Sequence, residues 1–370
     1  MNSKNSKFLL IIMSLAITAS VLFVFSPRDN RVPTHANVKA KEEKAEDTSE
    51  KMKLRVSGMS RDMAVYSVFQ LTLTSGEIGL KKEYEATLDS PASEMFFLKK
   101  SNKTAILSGD RKSIYVFDEI SMKFENKVIS FFDKNKNPDE ISCASLNAAE
   151  SLLAVSLSSS QKIEVFSTTW MQKVFSIDTA AGKCSKVFFD ERDTLYYTAE
   201  RDAAVLLYKC EPPYSSSSEL YRLSLPVGVF AALPGSGNFI FYNENSNATF
   251  GLNLRSLENS MILPAFAPKS SQQNNISALL PLSSKEFGLI RGDVGEIAIF
   301  ENNGQKMKVE CGFLDGSGPV TSFPKDLKYS FIGASKGAEF SFFEKASKKF
   351  TKKNRLSEIS SISAASLSGI

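Results

Sequence analysis

The sequence is nearly devoid of histidine and tryptophan, with one of each, His35 and Trp170, in 370 residues. A single histidine excludes a multi-histidine metal centre and most histidine-based acid–base or triad chemistry. The four cysteines, Cys143, Cys184, Cys210 and Cys311, follow no metal-ligand spacing. There is no GxxxxGK[ST] phosphate loop and no GxSxG elbow. No cofactor and no metal are therefore expected. A strong charge of either sign is also missing, since 45 Lys and Arg face 41 Asp and Glu. Residues 1–51 hold eight basic and six acidic side chains, so half of the net +4 lies there. The remainder is near neutral, which argues against nucleic acid as its partner. What is present is a 42% hydrophobic composition, enough for a sizeable core.

The one long apolar run is Phe8 to Phe25, broken only by Ser14, Thr18 and Ser20. As a helix it reaches about 27 Å, enough for a thin bilayer. Lys4 and Lys7 precede it, so residues 1–7 form a positive flank and residues 8–25 read as a transmembrane signal anchor. A cleaved signal peptide is the other reading, with Thr18-Ala19-Ser20 as its candidate site. Both readings place the rest of the chain on the extracytoplasmic or lumenal side, as a single-pass membrane protein or a secreted one, while Arg28 and Arg31 on the far side weaken the charge asymmetry and leave the opposite topology open. Residues 26–52 are rich in Lys, Glu, Asp and Ala and read as a solvated linker. His35 lies in it, away from any candidate site.

From Lys53 onward, short alternating strands replace helical periodicity. One element recurs: an apolar strand, a polar tight turn, then a strand ending in aromatics. It reads LRVSGMSRDMAVYSVF at 54–69, AILSGDRKSIYVFDEI at 105–120 and LAVSLSSSQKIEVFST at 153–168. Further copies lie at 195–210, 239–254, 287–301 and 329–344. Their spacing of 42–49 residues suits a four-stranded blade. Only the linker precedes the first copy, so that blade lacks its innermost strand. SEISSISAASL at 357–367 resembles the innermost strands ISCASLN and ISALLPL. It can complete the first blade and close the ring, which removes exposed sheet edges.

This pattern resembles the WD-repeat and YVTN-type β-propellers over residues 53–370. IYVFD at 114–118 and IEVFS at 163–167 occupy the place of the Trp-Asp strand. The Gly-His and Trp-Asp pairs themselves are missing, so the resemblance implies a fold and no functional residue. The fold class expected is all-β: a seven-bladed β-propeller closed by a C-terminal strand, preceded by a transmembrane or signal helix.

In such propellers the turns between second and third strands share one face, around the central channel. Here they carry Arg61, Asp62, Asp110, Arg111, Lys112, Lys162, Glu200, Arg201, Glu244, Arg291, Asp293 and Lys336. Arg forks match carboxylates, so this ring suits an acidic peptide or small anion. Equally, Asp, Asn and Gly simply suit tight hairpins. A second basic cluster, Lys345, Lys348, Lys349, Lys352, Lys353 and Arg355, falls at the outer edge of the seventh blade. It could meet anionic lipid or guard an edge strand. Cys184 and Cys210 are expected on the first and third strands of one blade, about 9–10 Å apart and too far to bridge. Trp170 is expected to pack against a blade.

The function expected is a membrane-tethered interaction scaffold for a protein partner, without enzymatic activity. The alternative is a ligand-binding or sugar-lactonase-like propeller, with Asp62, Asp110, Glu244 and Asp293 converging on a Ca²⁺.

Overall fold

The computed structural model describes residues 49–369 apart from 61–62, 75–76, 127, 180–181, 202–203, 224–227, 234–235, 244, 264–275, 292–295, 303–305, 312–319, 325, 335–336 and 357. Side chains are also outside the description at a few strand positions, including Arg291 and Cys311. The proposed flank, span and most of the linker, residues 1–48, lie outside the described residues. Among the described residues no helix is long and apolar enough to cross a membrane.

Seven antiparallel sheets succeed one another along the chain. Blade 1 takes its second to fourth strands from Glu50–Ser60, Met63–Thr74 and Glu77–Leu88. Its innermost strand is Ser361–Gly369, from the other end of the chain, paired antiparallel with Glu50–Ser60. The ring is therefore closed by the C-terminal strand, as the sequence predicts. The first strand begins at Glu50, inside the stretch read as linker.

The second to fourth blades begin with Ala92–Leu98, Ile141–Leu146 and Cys184–Phe189 as innermost strands. The last three begin with Phe230–Ala232, Ile276–Pro281 and Val320–Ser322. The outer strands of blades 2 and 7 are each split in two, Lys123–Phe124 with Ile129–Ser130 and Lys349–Phe350 with Asn354–Arg355.

The core is distributed around the ring. Each of seven apolar clusters joins two adjacent blades. Strand alternation explains this. Along Lys103–Ser108, Ala105 and Leu107 turn toward blade 3 while Ile106, between them, turns toward blade 1. Both faces of a blade are buried, so its middle strands read as nearly continuous apolar runs. The cluster between blades 7 and 1 holds Phe331, Phe340 and Phe342 against Leu54, Val56, Ile362 and Leu367, all at most 1% exposed. Closure is thus a packed junction like the other six.

Polar contacts fix the closing strand as well. The Leu367 amide donates to Ser322 Oγ of blade 7 at 3.0 Å, and Ser363 Oγ donates to the Ser57 carbonyl at 2.9 Å. The register shifts between Ser57 and Gly58. A Cβ at Gly58 would stand 2.1 Å from Ile359 Cγ2 and 2.7 Å from the Ser361 carbonyl oxygen, so only glycine fits there.

The candidate ring face and axial cavity

Residues on and beside the innermost strands of blades 1, 2, 3, 6 and 7 line an axial cavity of about 740 Å³. Its lining runs from Ser93 and Ser277, near the starts of their strands, to Asn147 and Pro324, beyond the ends of theirs. Serines, Thr321, Glu94, Phe96 and Phe97 contribute to its lining. This size and mixture suit a small ligand or an inserted side chain.

Arg111 reaches a cavity-lining side chain, Glu94. Its backbone has φ +59°, which turns the hairpin. Its Nη2 donates to Glu94 Oε1 and to the Ser142 carbonyl, both at 3.0 Å, and its Nε donates to the Ile141 carbonyl at 2.6 Å. One guanidinium thus ties the blade 2 turn to the first residues of blade 3. Burial pushes the Glu94 carboxyl up, and the facing Arg111 offsets only part of that shift. Because Glu94 opens onto the cavity, solvent there softens the cost.

The other ring residues divide. Asp110 is exposed and holds its own turn: Oδ1 accepts from Ser108 Oγ at 2.5 Å and from the Lys112 amide at 3.1 Å. The Ser108 hydrogen bond is the main reason its carboxyl sits below the usual range. Lys112 and Glu200 are exposed, as is Arg201, which lies beside the Tyr208 hydroxyl. Lys162 faces Asp178 at 3.8 Å on the neighbouring outer strand. Arg61, Asp62, Glu244, Asp293 and Lys336 lie outside the described residues, and Arg291 is described only in its backbone. Of the four carboxylates the lactonase reading needs, only Asp110 is therefore placed. Among the described residues no group of three His, Cys, Asp or Glu could hold a metal ion.

Of the blade 7 cluster, Lys349 and Arg355 lie on the split outer strand and the other lysines in the segments beside its halves, and much of the charge is matched. Lys348 pairs with Glu286 at 2.7 Å and Lys353 with Glu339 at 2.5 Å. Lys345 donates to the Pro324 carbonyl, and Lys349 stands opposite Glu344 in the ladder.

Three features escape sequence reasoning. Trp170 does not pack against a blade: it is 72% exposed, in the turn after the third strand of blade 3, where the buried Met171 takes the inward place. Cys143 and Cys184 meet across the starts of neighbouring innermost strands. The hydrogen bond between their thiols pulls Cys143 down and pushes Cys184 up. Cys184 and Cys210 are free, as expected.

The third is a buried ion pair between blades 1 and 2. Arg55 donates from Nε to Glu119 and from Nη1 to Ser368 of the closing strand, and its guanidinium lies 4.5 Å from the Phe97 ring centre. Thr104 Oγ1 donates to the same Glu119 oxygen at 2.5 Å. The two charged side chains are 2% and 5% exposed.

These observations define a closed seven-bladed β-propeller. The WD40 repeats of RRP9 superpose with a TM-score of 0.58 at 12% identity, over 84% of this chain and 88% of that one. Apo AztD from Citrobacter koseri superposes with a TM-score of 0.59 at 10% identity, over 87% and 98%. The dihydro-heme d1 dehydrogenase NirN gives 0.54 at 10% identity, over 83% of this chain, which spans 64% of NirN. At these identities the likeness is one of fold, and the fold serves unrelated functions. No protein-family model and no curated protein matches the chain.

Proposed function

We propose that the chain is a membrane-tethered interaction scaffold, held in a bilayer by residues 8–25 and receiving a protein partner on its ring face. The carrying observation is the ring face itself. Asp110 and Lys112, in the turn between second and third strands of blade 2, and Glu200 and Arg201, at the end of the second strand of blade 4, are exposed at one end of the axial cavity. A rigid closed ring presents these turns without an ordering cost on binding, which favours recognition. Mixed signs on the turns favour a partner with complementary charges over a uniformly acidic one.

The test is crosslinking in intact membranes, comparing wild type with Lys112→Glu/Arg201→Glu and with the edge variant Lys349→Glu/Lys352→Glu. The ring variant is expected to lose the crosslinked partner and the edge variant to keep it. Retention by the ring variant with loss by the edge variant would place the binding surface on blade 7 instead. Protease protection of the propeller in sealed membranes reads its side. Digestion without detergent would contradict the extracytoplasmic assignment.

The cavity favours a second reading, in which a small polar ligand sits between Glu94 and the serine hydroxyls. Glu94→Gln would then weaken ligand binding while leaving the partner crosslink intact.

A further inference from the structure

The strand directions give the disc two distinct faces. Within a blade, the start of the second strand lies beside the end of the third: Glu50 opposite Leu73, Lys103 opposite Asp118 and Leu152 opposite Ser167. Adjacent innermost strands run the same way. Ser142 Oγ donates to the Cys184 carbonyl at 2.8 Å near their starts, and Asn147 Nδ2 donates to Asp193 Oδ1 at 2.9 Å past their ends. The turn after each third strand therefore shares one face with Glu50, where the chain enters from residues 1–49. The described ring residues, Asp110, Arg111, Lys112, Lys162, Glu200 and Arg201, lie toward the opposite face.

On this tether face stand Ile120, 77% exposed, and Trp170, 72% exposed, the most exposed large apolar side chains among the described residues. They occupy the turns after the third strands of blades 2 and 3, next along the ring from the blade the chain enters. Both turns are held from within. Asp118 Oδ1 accepts from the amides of Ile120 and Ser121 at 2.9 and 2.8 Å. Thr168 Oγ1 donates to the Glu150 carbonyl at 2.8 Å. Exposed Lys100 and Lys123 flank Ile120 on the same face. An indole and a branched aliphatic chain beside lysines suit the boundary between lipid headgroups and acyl chains.

We propose that this face lies against the lipid bilayer, with Ile120 and Trp170 inserted at the headgroup boundary and Lys100 and Lys123 on lipid phosphates. The proposal rests on reading residues 8–25 as a membrane tether, which it deepens. A tether holds the disc at a high effective concentration near lipid, so two side chains suffice for contacts too weak to recruit a free domain. The ring face then points away from the membrane, toward a partner.

Trp170 is the only tryptophan in the sequence, so the emission of the full chain reports this position alone. The full chain is reconstituted into vesicles of phosphatidylcholine and phosphatidylserine, with or without bromine on the upper acyl carbons, and recovered by flotation. The expected result is blue-shifted emission, quenched at least twofold by bromolipid, with quenching largely lost in Ile120→Asp. Flotation with unshifted, unquenched emission would overturn the proposal and leave the tether standing. Failure to float would overturn the tether reading and this proposal with it.

Discussion

Replacing Arg55 by methionine tests how the ring is locked. The side chain joins three parts of the closure: blade 1, which carries it, Glu119 of blade 2, and Ser368 of the C-terminal strand. Methionine keeps much of the apolar volume against Phe97 but leaves the Glu119 carboxylate buried with only Thr104 as a partner. Removing one member of a buried ion pair costs about 3–5 kcal/mol. Unfolding entropy near 2.1 cal/mol/K per residue, over a propeller of roughly 320 residues, converts this to a Tm loss of about 5–7 °C. Glu119→Gln alone should cost less, because the amide still accepts from Thr104 and Arg55 keeps Ser368 and Phe97. The double variant Arg55→Met/Glu119→Gln should recover part of the single-variant loss, since no charge is then stranded. The assay is thermal and urea unfolding of the full chain in detergent, with the coupling energy taken from the cycle. Additive losses, or a methionine variant as stable as wild type, would refute the claim that this pair locks the closure.

Two further outcomes rest on the described contacts. Asp139 is fully buried, and its carboxylate accepts the amides of Ser159 and Ser160 at 2.7 and 2.8 Å. Burial pushes its carboxyl up, but these hydrogen bonds outweigh burial and hold it below the usual range. Its stabilising contribution is therefore present above the usual carboxylate range and is lost as pH falls through the lowered folded value. Asp139→Asn should cost about 1–3 kcal/mol at neutral pH in urea unfolding, and the gap to wild type should narrow in acid. A gap that widens in acid would contradict this assignment. Cys143 is half-buried with a lowered thiol, whereas Cys184 and Cys210 are buried with raised ones. Alkylation of the native chain, read by mass spectrometry, should mark Cys143 first of these three, and faster labelling of Cys210 would contradict the arrangement.

Much of the fold is legible in sequence because a propeller repeats one local unit. The strand Ile141–Leu146 falls on the innermost strand read in ISCASLN, and the hairpins between second and third strands of blades 2 and 3 fall where a polar turn separates two apolar runs. The closing strand is legible because blade 1 visibly lacks an innermost strand while the C-terminus supplies one. The split outer strands of blades 2 and 7 are not legible, because two-residue strands leave no periodicity to detect.

The site is less legible, for one physical reason: contacts between blades depend on register around the ring, which a single repeat does not encode. Arg55 sits in the alternating run LRV, and its acidic partner lies 64 residues away in another blade. Cys143 and Cys184 likewise meet only because successive innermost strands run side by side. Arg111 reads as a ring residue by its charge. Its actual partners, Glu94 and two backbone carbonyls, depend on how blade 2 abuts blade 3. Trp170 misleads because a lone aromatic in a β-rich chain resembles core, whereas the neighbouring Met171 takes that place.

Native-state hydrogen exchange on the full chain tests the closed ring most directly. Amides of Ser361–Gly369 that bond to Glu50–Ser60 should exchange as slowly as those of Met63–Thr74 on the other side of that strand, because both unfold with blade 1. Rapid exchange of the C-terminal strand while the rest of blade 1 stays protected would show that the ring is not closed by its own C-terminus.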